Sequence, residues 1–288
     1  QTCALPISLL NVSYKIASAT IAGRIKTVLP KIINEDQKGF MSGRYIGECT
    51  RVIYDIMDYA ETMEKPGLLL LIDFEKAFDS VDWTFIQNTL KYFGFGPSIR
   101  KWIELCYNDI ESSVLVNGFA SKFFKLTRGC RQGDPLSPYI FIICAEVLSI
   151  MLRNNKNIKG IKIGDTEYLV SQFADDTSLI LDGTEKCLQQ ALETLNRFAS
   201  FSGLKINTSK TQVIWIGSLK HSKNIICKKY KLNWSHKEFT ILGITFTHNL
   251  AEMVERNYKD KLKMIKIIMN QWLGRDRKST RLNSSHDQ

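Results

Sequence analysis

No Cys-x-x-Cys pair occurs in these 288 residues. The seven cysteines, at 3, 49, 106, 130, 144, 187 and 227, are scattered and odd in number. That pattern supports neither a zinc site nor a disulfide framework. Nothing reads as a secretory leader, so an intracellular location is expected. No apolar run is long enough to cross a bilayer. The longest, YIFIICAEVLSIML at 139–152, carries Glu146 and reads as a buried core helix, so no membrane contact is expected. Internal repeats are absent, which argues against a repeat array. Positive excess is missing from most of the chain: residues 1–200 hold 22 Lys/Arg against 23 Asp/Glu.

The charge that is present lies at one end. Residues 201–288 hold 17 Lys/Arg against 6 Asp/Glu, which accounts for the whole formal net charge of +10. One-sided positive charge is the electrostatic footprint of a nucleic-acid or other anionic partner. A solvated lysine-rich face is the plainer alternative. With 44% hydrophobic and 24% charged residues, the chain has the composition of a soluble globular protein. Its length allows one large or two modest domains.

Apolar spacing predicts a helix over about 9–33, stopped near Pro30, and another over 48–64, ended by Pro66-Gly67. A strand is expected at 68–72, then helices at 82–93 and 97–110. Residues 112–127 read as a hairpin turning at Asn117-Gly118. RGCRQGDPLSP (128–138) is a loop punctuated by Gly and Pro that feeds the 139–152 helix. Short strands are expected over 161–181, an amphipathic helix over 184–202 capped by Gly203, strands at 211–217 and 239–246, and a last helix at 251–273. Residues 1–5 and 276–288 do not match their surroundings in composition and are expected to be non-native ends.

The most informative residues are acids at strand ends. Asp73 follows the run LLLLI, and Asp175-Asp176 sit between two apolar runs in FADDTSLIL. Runs of this kind read as buried strands, so acids at their ends would meet from distant sequence. Carboxylates gathered on a rigid sheet are how proteins hold Mg2+ near phosphates. Each motif alone has a plainer reading. Asp-Asp can be simple turn chemistry, Asp73, Asp79 or Ser80 a helix N-cap, and RQGDP a structural turn. The ordered combination is far more specific than any member of it.

That order resembles the reverse transcriptases of non-LTR (LINE-type) retrotransposons over about residues 6–275. The segments that carry the resemblance are PISLLNVSYKIASATIAGRIK, QKGFMSGR, DFEKAFDSVDW, GCRQGDPLSPYIF, FADDTSLIL, GLKINTSKT and LGITF. The resemblance implies an α+β right-hand polymerase, with fingers, a palm of mostly antiparallel sheet with helices on one face, and part of a thumb. It implies fingers at 6–66 and 95–130, palm at 67–94 and 131–248, and the start of a thumb at 249–275. The chain is then the polymerase core of a longer family protein. The implied reaction is RNA-templated extension of a primer 3′-OH with dNTPs. RNA template, DNA primer and dNTPs are the implied partners, with no obligate protein partner evident.

The resemblance also assigns roles. Two Mg2+ ions, or Mn2+ in their place, would be bridged by Asp73 and Asp175, with the Phe74 carbonyl as a further ligand and Asp176 in support. Phe78 corresponds to the steric gate against a 2′-OH; an ordinary core aromatic is the alternative. Gln132 and Gly133 correspond to the loop along the incoming nucleotide, where Gly133 allows close backbone approach. Lys210 corresponds to the lysine at the leaving pyrophosphate, with Lys205 or plain solvation as alternatives. Gly39, Phe40 and Arg44 correspond to the finger segment near template and nucleotide, and Leu242-Gly243 to the hairpin under the primer end. Ala4 and Leu5 stand where the family has an aromatic and an Arg before PIS. A nucleic-acid-binding remnant without turnover and a group II intron-type maturase are the other readings.

Overall fold

The computed structural model describes residues 10–235, 238–247 and 249–283. Two compact units divide the chain, Gln1–His236 and Lys237–Gln288.

In the first unit, helices α1 (Val12–Lys26), α2 (Leu29–Ile32) and α3 (Ile46–Thr62) precede strand β1 (Pro66–Ile72). Then come α4 (Ala77–Ser80), α5 (Trp83–Tyr92) and α6 (Pro97–Tyr107). Four two-residue strands follow: β2 (Glu111–Ser112), β3 (Leu115–Val116), β4 (Phe119–Ala120) and β5 (Phe124–Lys125). They nest as one hairpin, β2 on β5 and β3 on β4. Its turn is the expected Asn117-Gly118, both at positive φ (51° and 85°), as a type I′ turn requires. The long helix α7 (Ser137–Asn154) leads to β6 (Ile161–Ile163), β7 (Thr166–Tyr168), β8 (Val170–Phe173) and β9 (Asp176–Leu181). Helix α8 (Glu185–Ser202), β10 (Gln212–Gly217) and β11 (Asn233–Ser235) complete the unit.

β1 lies at the centre of a sheet in the order β11-β10-β1-β9-β8. All pairings are antiparallel except β10 with β11. Alternation sets the two faces. Leu68, Leu70, Leu179, Leu181, Val213 and Trp215 point into a core shared with α5, α7 and α8. Leu69, Ile180, Ile214 and Ile216 are buried on the opposite face. α3 packs there against β8 and β10, burying Ile53, Ile56 and Ala60. The expected α+β palm with a mostly antiparallel sheet is therefore present, with one amendment: helices cover both faces, not one. An LLLL run is what a doubly covered strand needs.

α7 is apolar nearly all round, and at 18 residues, four more than the 139–152 run, it reaches the length and composition of a membrane span. Here it is a core helix, as the sequence suggests. Its Glu146 is 3% exposed, ion-paired to Arg153 and accepting the Asn34 N–H at 3.1 Å.

The second unit holds the hairpin β12 (Glu238–Ile241) and β13 (Ile244–Thr247), turning at Leu242-Gly243, and helix α9 (Leu250–Asn283). α9 runs ten residues beyond the 273 expected from apolar spacing. Its Val254, Tyr258, Leu262, Ile265, Met269 and Trp272 are all exposed. Of the two ends expected to be non-native, residues 1–5 and 284–288 lie outside the described residues; α9 occupies the span between 276 and 283.

Candidate active site

β1 ends at Ile72, so Asp73 is the first residue beyond the sheet. Its backbone is held on both sides. The Asp73 N–H donates to Thr211 Oγ1 at 3.3 Å, and its carbonyl accepts the Asn207 N–H at 2.7 Å. Phe74 bridges to Ile206, and the Glu75 N–H donates to the Lys205 carbonyl at 2.9 Å. The segment GLKINTSKT is thereby tied alongside Asp73. Lys205 and Lys210 line one cleft together with Asp73, Phe74 and Lys76. The geometry brings both candidate lysines to the same place.

β8 and β9 are joined by a two-residue turn, Ala174-Asp175, with Phe173 opposite Asp176. Asp175 lines a second cleft with Phe40, Phe74, Phe78, Gln132 and Gly133. Phe74 and Lys76 line both clefts, so the two adjoin. The 128–133 loop reaches Phe78 through backbone pairing: Gly129 N–H to the Val81 carbonyl at 2.8 Å and Cys130 N–H to the Phe78 carbonyl at 2.6 Å. Phe78 is half-buried and stacked on Phe141 of α7, with centroids 4.3 Å apart and planes 17° from parallel. Phe40 meets Phe78 edge-on at 6.5 Å. A ring pinned in this way is a rigid wall to the cleft.

Electrostatics mark the acids as strained neighbours. Burial, and then the nearby Asp73, push the Asp175 carboxyl above the usual carboxylate range; its own backbone N–H pulls the other way. Although Asp176 keeps an exposed edge, the protein packed around the rest of it, with Asp175 and Asp73, pushes it up to about 6. Like charges that cannot spread into solvent favour protonation or a bound cation. Asp176 is exposed and lines neither cleft. Among the described residues, no three His, Cys, Asp or Glu side chains close around one point. The acids therefore suit a cation that takes its remaining ligands from water and phosphate, as Mg2+ does, rather than a closed protein cage.

Arg44 is absent from the cleft linings; its guanidinium donates to the carbonyls of Asn34, Gln37 (2.6 Å) and Ile33 (3.1 Å). It braces the 33–37 backbone. Leu242-Gly243 form the β12–β13 turn, with φ of 49° and 76°, in the second unit. Ala4 and Leu5 lie outside the described residues.

The chain matches the family described as "Reverse transcriptase (RNA-dependent DNA polymerase)" over residues 4–246. It belongs to the reverse transcriptase family. Its similar proteins include the 149 kDa protein of transposon TX1 from Xenopus laevis, 29% identical over 270 residues, 93% of this chain and 20% of that one. The Pol polyprotein of the type-2 retrotransposable element R2DM from Drosophila melanogaster is 29% identical over 213 residues, 73% of this chain and 19% of that protein. These relatives make it a reverse transcriptase domain of the non-LTR retrotransposon kind. The chain spans about a fifth of the length of these relatives. A telomerase structure from Candida albicans, solved with a fragment of telomeric RNA, superposes with a TM-score of 0.53 at 13% identity, covering 81% of this chain and 36% of that one. That likeness establishes the right-hand polymerase fold. Divalent metal ions are general to reverse transcriptases, which fits the acids described above.

Several residues that line or brace the clefts were not evident from sequence. Asp134 is 2% exposed and accepts from Tyr14 Oη (2.8 Å), Ser18 Oγ and the Leu136 N–H (3.1 Å), tying α1 to the Gln132-Gly133 loop. Arg131 lies 4.2 Å over the Tyr14 ring and donates to the Cys106 carbonyl at 2.8 Å. Thr211, fully buried, supports Asp73. Each lies inside or beside a motif, and only Asp134, directly after Gly133, carried a local signal.

Proposed function

We propose that this chain is the catalytic core of an RNA-directed DNA polymerase that extends a primer 3′-OH with dNTPs on an RNA template. The observation that carries the proposal is the placement of Asp73 and Asp175, about a hundred residues apart in sequence, at the ends of neighbouring elements beside two adjoining clefts. Residues 67–94 and 131–248 would form the palm, 6–66 and 95–130 the fingers, and 249–275 the start of the thumb.

In the reaction, a bond forms between the primer 3′-oxygen and the α-phosphorus, and the α–β phosphoanhydride bond breaks to release pyrophosphate. Two Mg2+ ions, or Mn2+ in their place, would supply charge neutralisation and Lewis acidity at the attacking and leaving oxygens. Asp73 and Asp175, with the Phe74 carbonyl, are the groups that would hold them, and Asp176 would add negative charge behind. Phe78, locked against Phe141, would exclude a 2′-OH from the sugar position. Gln132-Gly133 would lie along the nascent base pair; Gly133, at φ 85°, gives a backbone approach that a side chain would obstruct. Lys210 or Lys205 would place positive charge beside the departing pyrophosphate.

Primer extension on an RNA template with dNTPs and Mg2+ tests the reading. Asp175→Asn should lower incorporation by at least about a thousandfold, given that most of such catalysis is charge placement, while RNA binding stays within a few-fold. Salt-sensitive RNA binding with no incorporation by the unaltered chain would instead indicate a binding remnant.

A further inference from the structure

We propose that Gln37 is a positioning residue for Asp175: its side-chain amide fixes the two peptide planes that aim this carboxylate. The inference rests on the polymerase reading and deepens it.

The β8–β9 turn needs help from outside. Ala174 sits at φ 56°, in the left-handed region that a residue with a Cβ disfavours. Gln37 is 1% exposed and reaches this turn from 137 residues away. Its Oε1 accepts the Ala174 N–H at 2.8 Å, and its Nε2 donates to the Ala174 carbonyl at 3.2 Å. That N–H belongs to the peptide entering the turn. That carbonyl belongs to the peptide that carries Asp175. One planar amide therefore grips both planes, as a partner strand would. The same Oε1 also accepts the Gly39 N–H at 2.8 Å, which fixes the amide itself.

The backbone around Gln37 continues the grip. The Lys38 N–H donates to the Gln172 carbonyl at 2.8 Å, and the Gln172 N–H donates to the Asp36 carbonyl at 2.9 Å. Residues 36–38 thus run as a parallel strap along the end of β8. Gly39 makes the approach feasible: a Cβ there would lie 2.3 Å from the Ala174 nitrogen. Arg44 braces the strap from behind by donating to the carbonyls of Ile33, Asn34 and Gln37. On the far side, Gln172 accepts from Ser149 Oγ of α7 at 2.7 Å and donates to Thr177 Oγ1 at 3.2 Å. The Asp175 turn is consequently fixed against the 36–39 strap, and the β8 end that carries it against α7, before any substrate arrives. Its burial gives Gln37 no solvent to fall back on, so an amide left unmatched there would be destabilising.

The test uses the full 288-residue chain with two readouts: Mn2+ binding followed by electron paramagnetic resonance, and primer extension on an RNA template. Gln37→Leu, with a native circular dichroism spectrum, should bind Mn2+ about tenfold more weakly and lose about 10–100-fold in kcat, as expected when a supporting hydrogen bond to a ligand is removed. KM for dNTP should stay within about threefold, because the nucleotide pocket walls are untouched. Gln37→Glu keeps both acceptor bonds and should fall between the two. A folded Gln37→Leu with unaltered Mn2+ affinity and kcat overturns the inference, since a merely structural residue would lower only the melting temperature. Should Gln37→Leu not fold, Gln37→Glu decides by the same readouts: weakened Mn2+ binding supports, wild-type values overturn. Mn2+ binding that is the same in Asp175→Asn as in the unaltered chain also overturns it. Mn2+ binding through Asp175 without any primer extension removes the polymerase reading alone, and the Mn2+ affinity of Gln37→Leu then decides.

Discussion

Asp73, Asp175 and Asp176 reach one end of the sheet from two separate strands, and without a cation their charges oppose one another. Asp176 expresses the conflict most clearly, with a carboxyl raised from 3.8 to about 6. A carboxyl that is easier to protonate in the folded than in the unfolded chain adds stability at low pH. That stability is present in full below about pH 4 and is lost as pH rises through about 6, because the folded state then binds more protons than the unfolded one. Asp176 is exposed, so solvent screens part of the effect and about 1 kcal/mol is a fair size for it. In metal-free buffer, Asp176→Asn should raise the melting temperature by about 2–4 °C at pH 7.5 and by nothing measurable at pH 4. Saturating Mg2+ should shrink the gain. Thermal melts across that range check this; an equal gain at both pH values, or none at pH 7.5, contradicts it.

At the scale of elements, periodicity and turn chemistry were readable wherever the local sequence decides the structure. LLLLI is a central strand, Asn117-Gly118 is a turn, and Gly203 ends α8 with φ 81°, whereas 239–246, which reads as strand throughout, is broken into a hairpin at Leu242-Gly243. The Asp73 and Asp175 placements followed from the strands that carry them. What stayed hidden is long-range. β11 pairs in parallel at the edge, α3 covers the second face of the sheet, and the 36–39 strap has no periodicity. Arg44 shows the limit well, since only the fold reveals that three carbonyls already occupy it. α7 joins the legible and the hidden parts, because its buried Phe141 supports Phe78 from within the core. Phe141→Leu should cost about 1–3 kcal/mol of stability, the price of a smaller side chain in a packed site. With the stacking partner gone, Phe78 gains freedom, and ribonucleotide incorporation relative to deoxyribonucleotide should rise about 3–10-fold, equivalent to roughly 1 kcal/mol of lost exclusion. Competing rNTP and dNTP extension by the purified variant measures it. Unchanged discrimination in a destabilised variant would show that the ring is held by something other than α7.

At the scale of the whole chain, charge and chemistry are separated along the sequence. The acids lie within the first 200 residues, which are nearly neutral overall, while residues 201–288 carry 17 Lys/Arg against 6 Asp/Glu. Under the proposed function such a division would suit a polymer of phosphates: the acids would serve the reacting groups, and distributed cations would hold the rest of the strand without reading its bases. Lys261, Lys263 and Lys266 of α9 are exposed on a helix whose apolar residues are also open to solvent. If these lysines neutralise phosphates, each releases counterions when RNA binds, and affinity falls with salt in proportion to their number. Replacing all three with Gln should reduce the slope of log K against log salt concentration by about 2, from roughly 0.7 for each single-strand phosphate contact. The loss should be similar for unrelated RNA sequences, because a lysine on a phosphate carries no base information. Filter binding or fluorescence anisotropy between low and physiological salt gives the slope directly. An unaltered slope would move the phosphate contacts to the lysines of residues 205–231 and leave the charge of α9 as a solvated face.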